Sequence, residues 1–203
     1  INAIYSRKIK TAITSKIEHH AVLHTLEDLE KRNVIKMLYV NLNSNGHIDY
    51  NHLEELISSN PRSLVSLMHG NNEIGNITEI ERVAEICNKN DSIFHSDTVQ
   101  TIGHFNINLS SNNIHSIVGS AHKFHGPKGI GFMYINNKIK IPPYIIGGSQ
   151  ERNMRGGTEN VSGIIGLSKA LEITIEEKDE TKKHIENLKL NMIDMLKKNI
   201  KNL

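Results

Sequence analysis

The residues able to do chemistry gather around Lys123, in the run Ser120-Ala121-His122-Lys123-Phe124-His125-Gly126-Pro127-Lys128-Gly129, directly after the apolar stretch 114–118. A lysine held at the end of a buried strand is placed to capture a carbonyl cofactor as a Schiff base. Pyridoxal phosphate makes four demands of a protein. It needs a lysine for the imine, a carboxylate to keep the pyridine nitrogen protonated, something flat against the ring, and N–H groups, hydroxyls and imidazole around the phosphate. Asp97, in His95-Ser96-Asp97-Thr98-Val99-Gln100, follows another buried stretch and is the candidate carboxylate. A purely structural Asp at that point would cap the next helix. Gln100 stands three residues on, within reach of the phenolic oxygen or the imine. His19, at a helix start, is either an N-terminal polar group or an imidazole that stacks on the ring and shuttles protons. Asn72, in His69-Gly70-Asn71-Asn72-Glu73-Ile74-Gly75, reads as a donor to the ring oxygen or as part of an Asx turn. Lys128 competes with Lys123 for the imine, but Pro127 and Gly129 make it a turn residue. The Gly- and Arg-rich run 147–158 can bring backbone and guanidinium groups to an anion, as many surface loops can.

Helical and extended patterns alternate along the chain. Strands are expected at 11–14, 34–40, 63–68, 92–95, 114–118 and 130–135. Helices are expected at 19–31, with Val22, Leu23, Leu26 and Leu29 inward; at 50–58, with Leu53, Leu56 and Ile57 inward; and at 79–88, with Ile80, Val83, Ala84 and Cys87 inward. Asn45-Gly46 is a turn signal. This alternation implies an α/β fold: a mainly parallel, mixed sheet with helices on both faces. In such sheets chemistry collects at the carboxyl ends of the strands. Asn71 and Asn72, Asp97 and Lys123 each follow a different strand, and that shared direction is a stronger signal than any one motif. From 161 to 203 the pattern is helical, with Leu167, Ala170 and Leu171 on one face and Ile185, Leu188, Met192 and Leu196 on another. The charged run 176–184 is a solvated face or a bend. The expected organisation is a cofactor domain over 1–160 and a helical segment over 161–203 that leads toward a further domain.

The 203 residues, 37% hydrophobic and 23% charged, suit a soluble globular protein. No apolar run reaches the roughly 18 residues of a membrane span, and no signal peptide is visible at the start. The net charge of +2 is spread out, which gives no reason to expect nucleic-acid binding. One cysteine excludes an internal disulfide framework and agrees with a reducing, cytoplasmic setting. Among the twelve histidines, His19-His20 and His122-x-x-His125 come nearest to a metal motif, without a third ligand in register, so no metal site is expected.

Taken in order, the segments resemble the cysteine desulfurases of the iron–sulfur-cluster type, within the class V aminotransferase-like enzymes of PLP fold type I. The resemblance rests on Thr14-Ser15-x-x-Glu18-His19-x-Ala21-Val22-Leu23, His69-x-Asn71-Asn72-Glu73-Ile74-Gly75, His95-x-Asp97-x-x-Gln100, His122-Lys123-x-x-Gly126-Pro127-Lys128-Gly129, and Gly147-Gly148-x-Gln150-Glu151-Arg152 with Arg155-x-Gly157-Thr158. It implies an aspartate-aminotransferase-like large domain. Lys123 would be the Schiff-base lysine, with His19 stacking on the ring and moving protons. Asp97 would pair the pyridine nitrogen, Asn72 and Gln100 would contact the ring-oxygen side, and Ser120 and His122 would bind phosphate. Thr158 would reach the phosphate of a homodimer partner. The implied reaction takes L-cysteine to L-alanine and passes the sulfur as a persulfide to an enzyme cysteine, then to an iron–sulfur scaffold protein or to tRNA thiolation.

The sequence departs from that pattern in places. The family's sulfur-accepting cysteine, its phosphate-binding glycine-threonine loop and its substrate-carboxylate arginine have no counterpart here, and residues 1–8 read as the remnant of the helix after that loop. Ala121 replaces a common glycine. Cys87, on an inward helix face, is no substitute acceptor. The chain therefore reads as an internal fragment holding most of the cofactor domain. The alternatives are another class V PLP enzyme (a selenocysteine lyase or an aminotransferase) and a non-catalytic scaffold of the same fold. The joint presence of Lys123, Asp97 and His19 argues against the scaffold.

Overall fold

The computed structural model describes residues 1–110 and 113–201. A six-stranded sheet runs in the order β2-β1-β3-β4-β5-β6. Its strands are β1 (Thr11–Thr14), β2 (Lys36–Tyr39), β3 (Leu64–Ser66), β4 (Ile93–Asp97), β5 (Ser116–Ser120) and β6 (Gly131–Ile135). The first five are parallel, and β6 is antiparallel to β5. The sheet is thus mainly parallel and mixed, as the alternating pattern implies. The strands at 34–40 and 63–68 are shorter than expected, because their apolar flanks continue as buried loop. The fourth strand extends through Asp97 and the fifth through Ser120, so both residues stand on strand ends.

Helices cover both faces. α1 (Asn2–Ser6) and α2 (His20–Lys31) lie on one side, where Ile4, Leu26 and Leu29 pack with Ala12, Met37, Leu64 and Ile93. α3 (Tyr50–Ser59) and α4 (Ile80–Lys89) lie on the other, where Leu53, Ile57, Val83 and Cys87 pack with Ile13, Val65, Phe94 and Ile117. The two sets alternate along each strand, as the period of two requires when both faces are covered. Local chemistry starts two of these helices. The Asp49 carboxylate caps α3 by accepting from the N–H groups of Asn51 and His52, and the His19 ring caps α2 by accepting from the Ala21 N–H.

Because β1 has β2 on one side and β3 on the other, the connections leave the strand ends in opposite directions between β1 and β3. That reversal opens a crevice at the carboxyl ends of the strands. After β5 the chain makes a one-turn 3-10 helix (Ala121–Phe124), closed by His125 in the left-handed region at φ 64°. α5 (Gln150–Asn153) is a tight turn with left-handed Glu151 and Arg152 inside the Gly/Arg-rich loop. α6 (Val161–Glu176) returns to the body of the domain, where the Thr174 hydroxyl donates to the Phe124 carbonyl at 3.3 Å. The charged run 176–184 resolves as a bend at Glu177, after which α7 (Lys178–Asn199) continues for 22 residues. The apolar face expected on this last helix is not packed. Ile185, Leu188, Met192 and Leu196 are all exposed. Residues 202 and 203 of the expected helical stretch lie outside the described residues.

Candidate active site

A cavity of about 660 Å³ opens on the α1/α2 side of the sheet, over β3, β4 and β5. This volume lies within the range of small-ligand pockets. Its wall brings together His19, Asn72, Asp97, Gln100, Ser120, His122 and Lys123. Seven of the eight residues singled out in the sequence thus meet in one space, although they come from four separate segments. Thr158 is exposed and is not part of this wall. The competitor Lys128 is exposed and outside the wall as well, so of the two lysines only Lys123 faces the cavity.

Each side chain is placed by the element beneath it. Asp97 ends β4, 8% exposed, and its Oδ1 accepts from the Val99 N–H at 2.9 Å. Among the described residues no helix follows before β5, so this bond closes an Asx turn rather than capping a helix, and the turn and the cavity-facing position coexist in one carboxylate. Lys123 sits in the 3-10 turn after β5, with its backbone carbonyl 3.3 Å from the His104 Nε2. Ser120, at the end of β5, and His122 face one another, with Oγ and Nδ1 2.9 Å apart. His19 stands at the N-cap of α2. Since its Nδ1 accepts the Ala21 N–H at 3.1 Å, the neutral ring carries its proton on Nε2. Asn72 is exposed at the cavity rim and donates to the Glu73 carboxylate at 2.7 Å.

The structure adds groups that residue-by-residue reading did not single out. One layer below Asp97, the strand register places Ser66, His95 and Ser116 side by side across β3, β4 and β5, and all three line the cavity. The Ser66 Oγ lies 2.9 Å from His95 Nδ1. Burial holds His95 down to about 4, against the pull of the neighbouring Asp97 charge, so its imidazole is neutral near pH 7. The Ser116 hydroxyl is buried with no hydrogen-bond partner among the described residues. An orphaned buried hydroxyl facing a cavity is the kind of group a polar ligand or ordered water satisfies. His95 was available to the sequence, because a residue two before Asp97 on a strand must share its face. Ser66 and Ser116 became visible only through the register.

Glu18, next to His19, is 5% exposed. Burial pushes its carboxyl up to about 7, opposed by hydrogen bonds from the Met68 N–H and the Ser15 hydroxyl. Cys87 is fully buried on α4, and burial pushes its thiol well above the ordinary range. It is neither near the cavity wall nor ionised near neutral pH, which removes it as a nucleophile. Among the described residues, no three His, Cys, Asp or Glu side chains converge as a metal site would require.

Comparison with known proteins places this geometry. The family description Aminotransferase class-V matches residues 2–203. The chain is 44% identical over 181 residues to cysteine desulfurase IscS of Clostridium botulinum, covering 89% of this chain and 45% of that protein. It is 46% identical over 183 residues to cysteine desulfurase IscS of Dictyoglomus turgidum, covering 90% and 45%. Among solved structures, a NifS-like protein superposes with a TM-score of 0.91 at 40% identity, over 96% of this chain and 54% of that one. SspA in complex with cysteine superposes at 0.79 with 34% identity, over 84% and 50%. The chain spans about half the length of the curated relatives it matches. With the family match running nearly end to end and the fold superposing on that of the NifS-like protein, the chain belongs to the class V aminotransferase family.

Proposed function

We propose that the chain carries the cofactor-binding part of a pyridoxal phosphate-dependent cysteine desulfurase. The observation that carries this reading is the meeting of Lys123, Asp97 and His19, from three different strand ends, on the wall of one cavity. Pyridoxal 5'-phosphate, the cofactor of this family, fits the donor set present: an amine, a carboxylate, a ring, and the paired Ser120 and His122 groups. Asp97 would hold the ring nitrogen protonated, His19 would lie against the ring, and Asn72 and Gln100 would bind its oxygen side. Ser120 and His122 would bind the phosphate. When bound, the cofactor supplies an electron sink for the pair left behind when a bond at the substrate α-carbon breaks.

The chain's own groups do the rest. Lys123 Nζ would hold the cofactor, and it is one group able to move a proton over the cavity. His19 Nε2 is the second group able to move a proton there. The proposed substrate is L-cysteine, the ligand named for one structural relative. The overall change converts L-cysteine and a thiol to L-alanine and a persulfide, with the thiol supplied by a cysteine other than Cys87. In this reading the persulfide sulfur passes to an iron–sulfur scaffold protein or to tRNA thiolation, in the cytoplasm. A homodimer completes the site, with Thr158 serving the partner's phosphate and the exposed run Tyr144, Ile145 and Ile146 covered at the interface. Residues 1–160 form the cofactor domain and residues 161–203 lead toward a smaller one.

The test is the visible absorption of the native protein loaded with pyridoxal phosphate, followed by sulfide release from L-cysteine. Lys123→Ala should lose the absorption band and sulfide release together, while Lys128→Ala keeps both. A band that survives Lys123→Ala would overturn the assignment. Retained absorption without sulfide release from the unaltered protein would overturn the substrate.

A further inference from the structure

Glu18 and Asn71 lie outside the set of residues that would touch the cofactor, yet both are buried where the two loops at the strand-order reversal meet. One loop, residues 15–19, follows β1 and carries His19. The other, residues 67–76, follows β3 and carries Asn72. Glu18 Oε1 accepts from the Met68 N–H at 2.9 Å and from the Ser15 hydroxyl at 3.0 Å, so a side chain of the first loop holds the backbone of the second. Asn71 does the reverse. Its Nδ2 donates to the Ile17 carbonyl at 2.6 Å, so a side chain of the second loop holds the backbone of the first. The same carboxamide uses its Oδ1 to accept from the N–H groups of Glu73 and Ile74, which shapes the turn beside Asn72.

We propose that Glu18 and Asn71 form a reciprocal clasp that sets His19 and Asn72 in register across the cavity, and that both are positioning residues for the reaction. The inference rests on the proposed reading of the cavity. His19 follows Glu18 immediately and Asn72 follows Asn71 immediately, so each clasp residue fixes the backbone from which a site side chain departs. Displacing a site group by about 1 Å can cost about a hundredfold in rate. The clasp also explains why a carboxyl is kept in a buried place where its second oxygen has no hydrogen-bond partner among the described residues. Its first oxygen receives two donors at once, an accepting capacity that an apolar side chain of the same shape lacks.

Three substitutions separate clasp from bulk. Glu18→Leu removes the acceptor, whereas Glu18→Gln keeps an accepting oxygen. Asn71→Asp keeps the oxygen that shapes the turn and removes the Nδ2 that donates to the Ile17 carbonyl and, within its own loop, to the Met68 sulfur. The first readout is amide hydrogen exchange at Ala21, whose N–H is held by His19, in the native protein without added cofactor. Glu18→Leu and Asn71→Asp should speed exchange there at least about tenfold, and Glu18→Gln should restore it. The second readout is turnover of L-cysteine after loading with pyridoxal phosphate. Glu18→Leu and Asn71→Asp should lower kcat by about tenfold or more with little change in KM, while the visible absorption that depends on Lys123 persists. If Glu18→Leu does not fold, Asn71→Asp decides alone. Unchanged Ala21 exchange and kcat in the folded variants would overturn the clasp. A His19→Ala control keeps the two claims apart. Loss of turnover in that control with none in Asn71→Asp refutes the clasp, whereas full turnover in the control refutes the reading of the site.

Discussion

Two titratable side chains, buried Glu18 and half-buried His95, give the protein opposite pH responses. Burial raises Glu18 from 4.5 to about 7, so the folded state holds a proton that the unfolded chain has released. Its contribution to stability is fully present below about pH 4.5 and falls as pH rises toward 7. The full shift amounts to roughly 3 kcal/mol. His95 is lowered from 6.5 to about 4, so its contribution is present above pH 6.5 and falls as pH drops toward 4. Thermal melts should resolve the two. Glu18→Gln should match the unaltered protein near pH 4.5 and melt at a higher temperature at about pH 8. An equal melting temperature at about pH 8 would mean that burial does not raise the carboxyl. Cys87 belongs to the same scale. Native protein should resist alkylation at this thiol, and the unfolded chain should react readily.

At the scale of elements, the position of Lys123 depends on how closely β5 and β6 approach. A Cβ added at Gly119 would run into the Phe132 ring of the neighbouring strand. Gly119→Ala should therefore destabilise the protein by about 1–3 kcal/mol in a denaturant titration, because a packed ring has to move. A neutral result would show that the ring has room to turn away. The α2 start is coupled to the site in a different way. His19 serves as both N-cap and cavity wall, so His19→Asn, which keeps a capping oxygen, should preserve helix stability while removing the ring. Urea denaturation of His19→Asn and His19→Ala should differ by about 1 kcal/mol in favour of Asn.

Across the whole molecule, burial is uneven. The two faces of the sheet bury Leu53, Ile57, Val65 and Phe94 on one side and Ile4 and Leu29 on the other. α7 buries none of its residues, and Leu188 is 55% exposed. Leu53→Ala should cost about 2–5 kcal/mol, and Leu188→Ala about 0.5 kcal/mol or less, as read by chemical denaturation of this chain. A large loss at Leu188 would mean that α7 is packed in solution. Among the described residues, no helix is long and apolar enough to cross a membrane.

Much of this was legible in the order of residues. Apolar runs of strand length, alternating with helices whose inward residues recur at three and four, dictated a covered parallel sheet. Polar groups after three of the runs had to share its carboxyl edge. Lys123, Asp97 and Asn72 could be named on that ground, because side-chain type and local period survive in a linear text. Three things needed the folded chain, and each depends on distance between segments far apart in sequence. Strand order put β3 beside β1 and so opened the crevice between their loops. Register set Ser66, His95 and Ser116 in one row. The contact between residues 15–19 and 67–76 made Glu18 and Asn71 partners across some fifty positions. The apolar face read on α7 stands exposed, and the reason is the same: periodicity shows that a helix has an apolar side, whereas only tertiary packing decides whether anything among the described residues covers it.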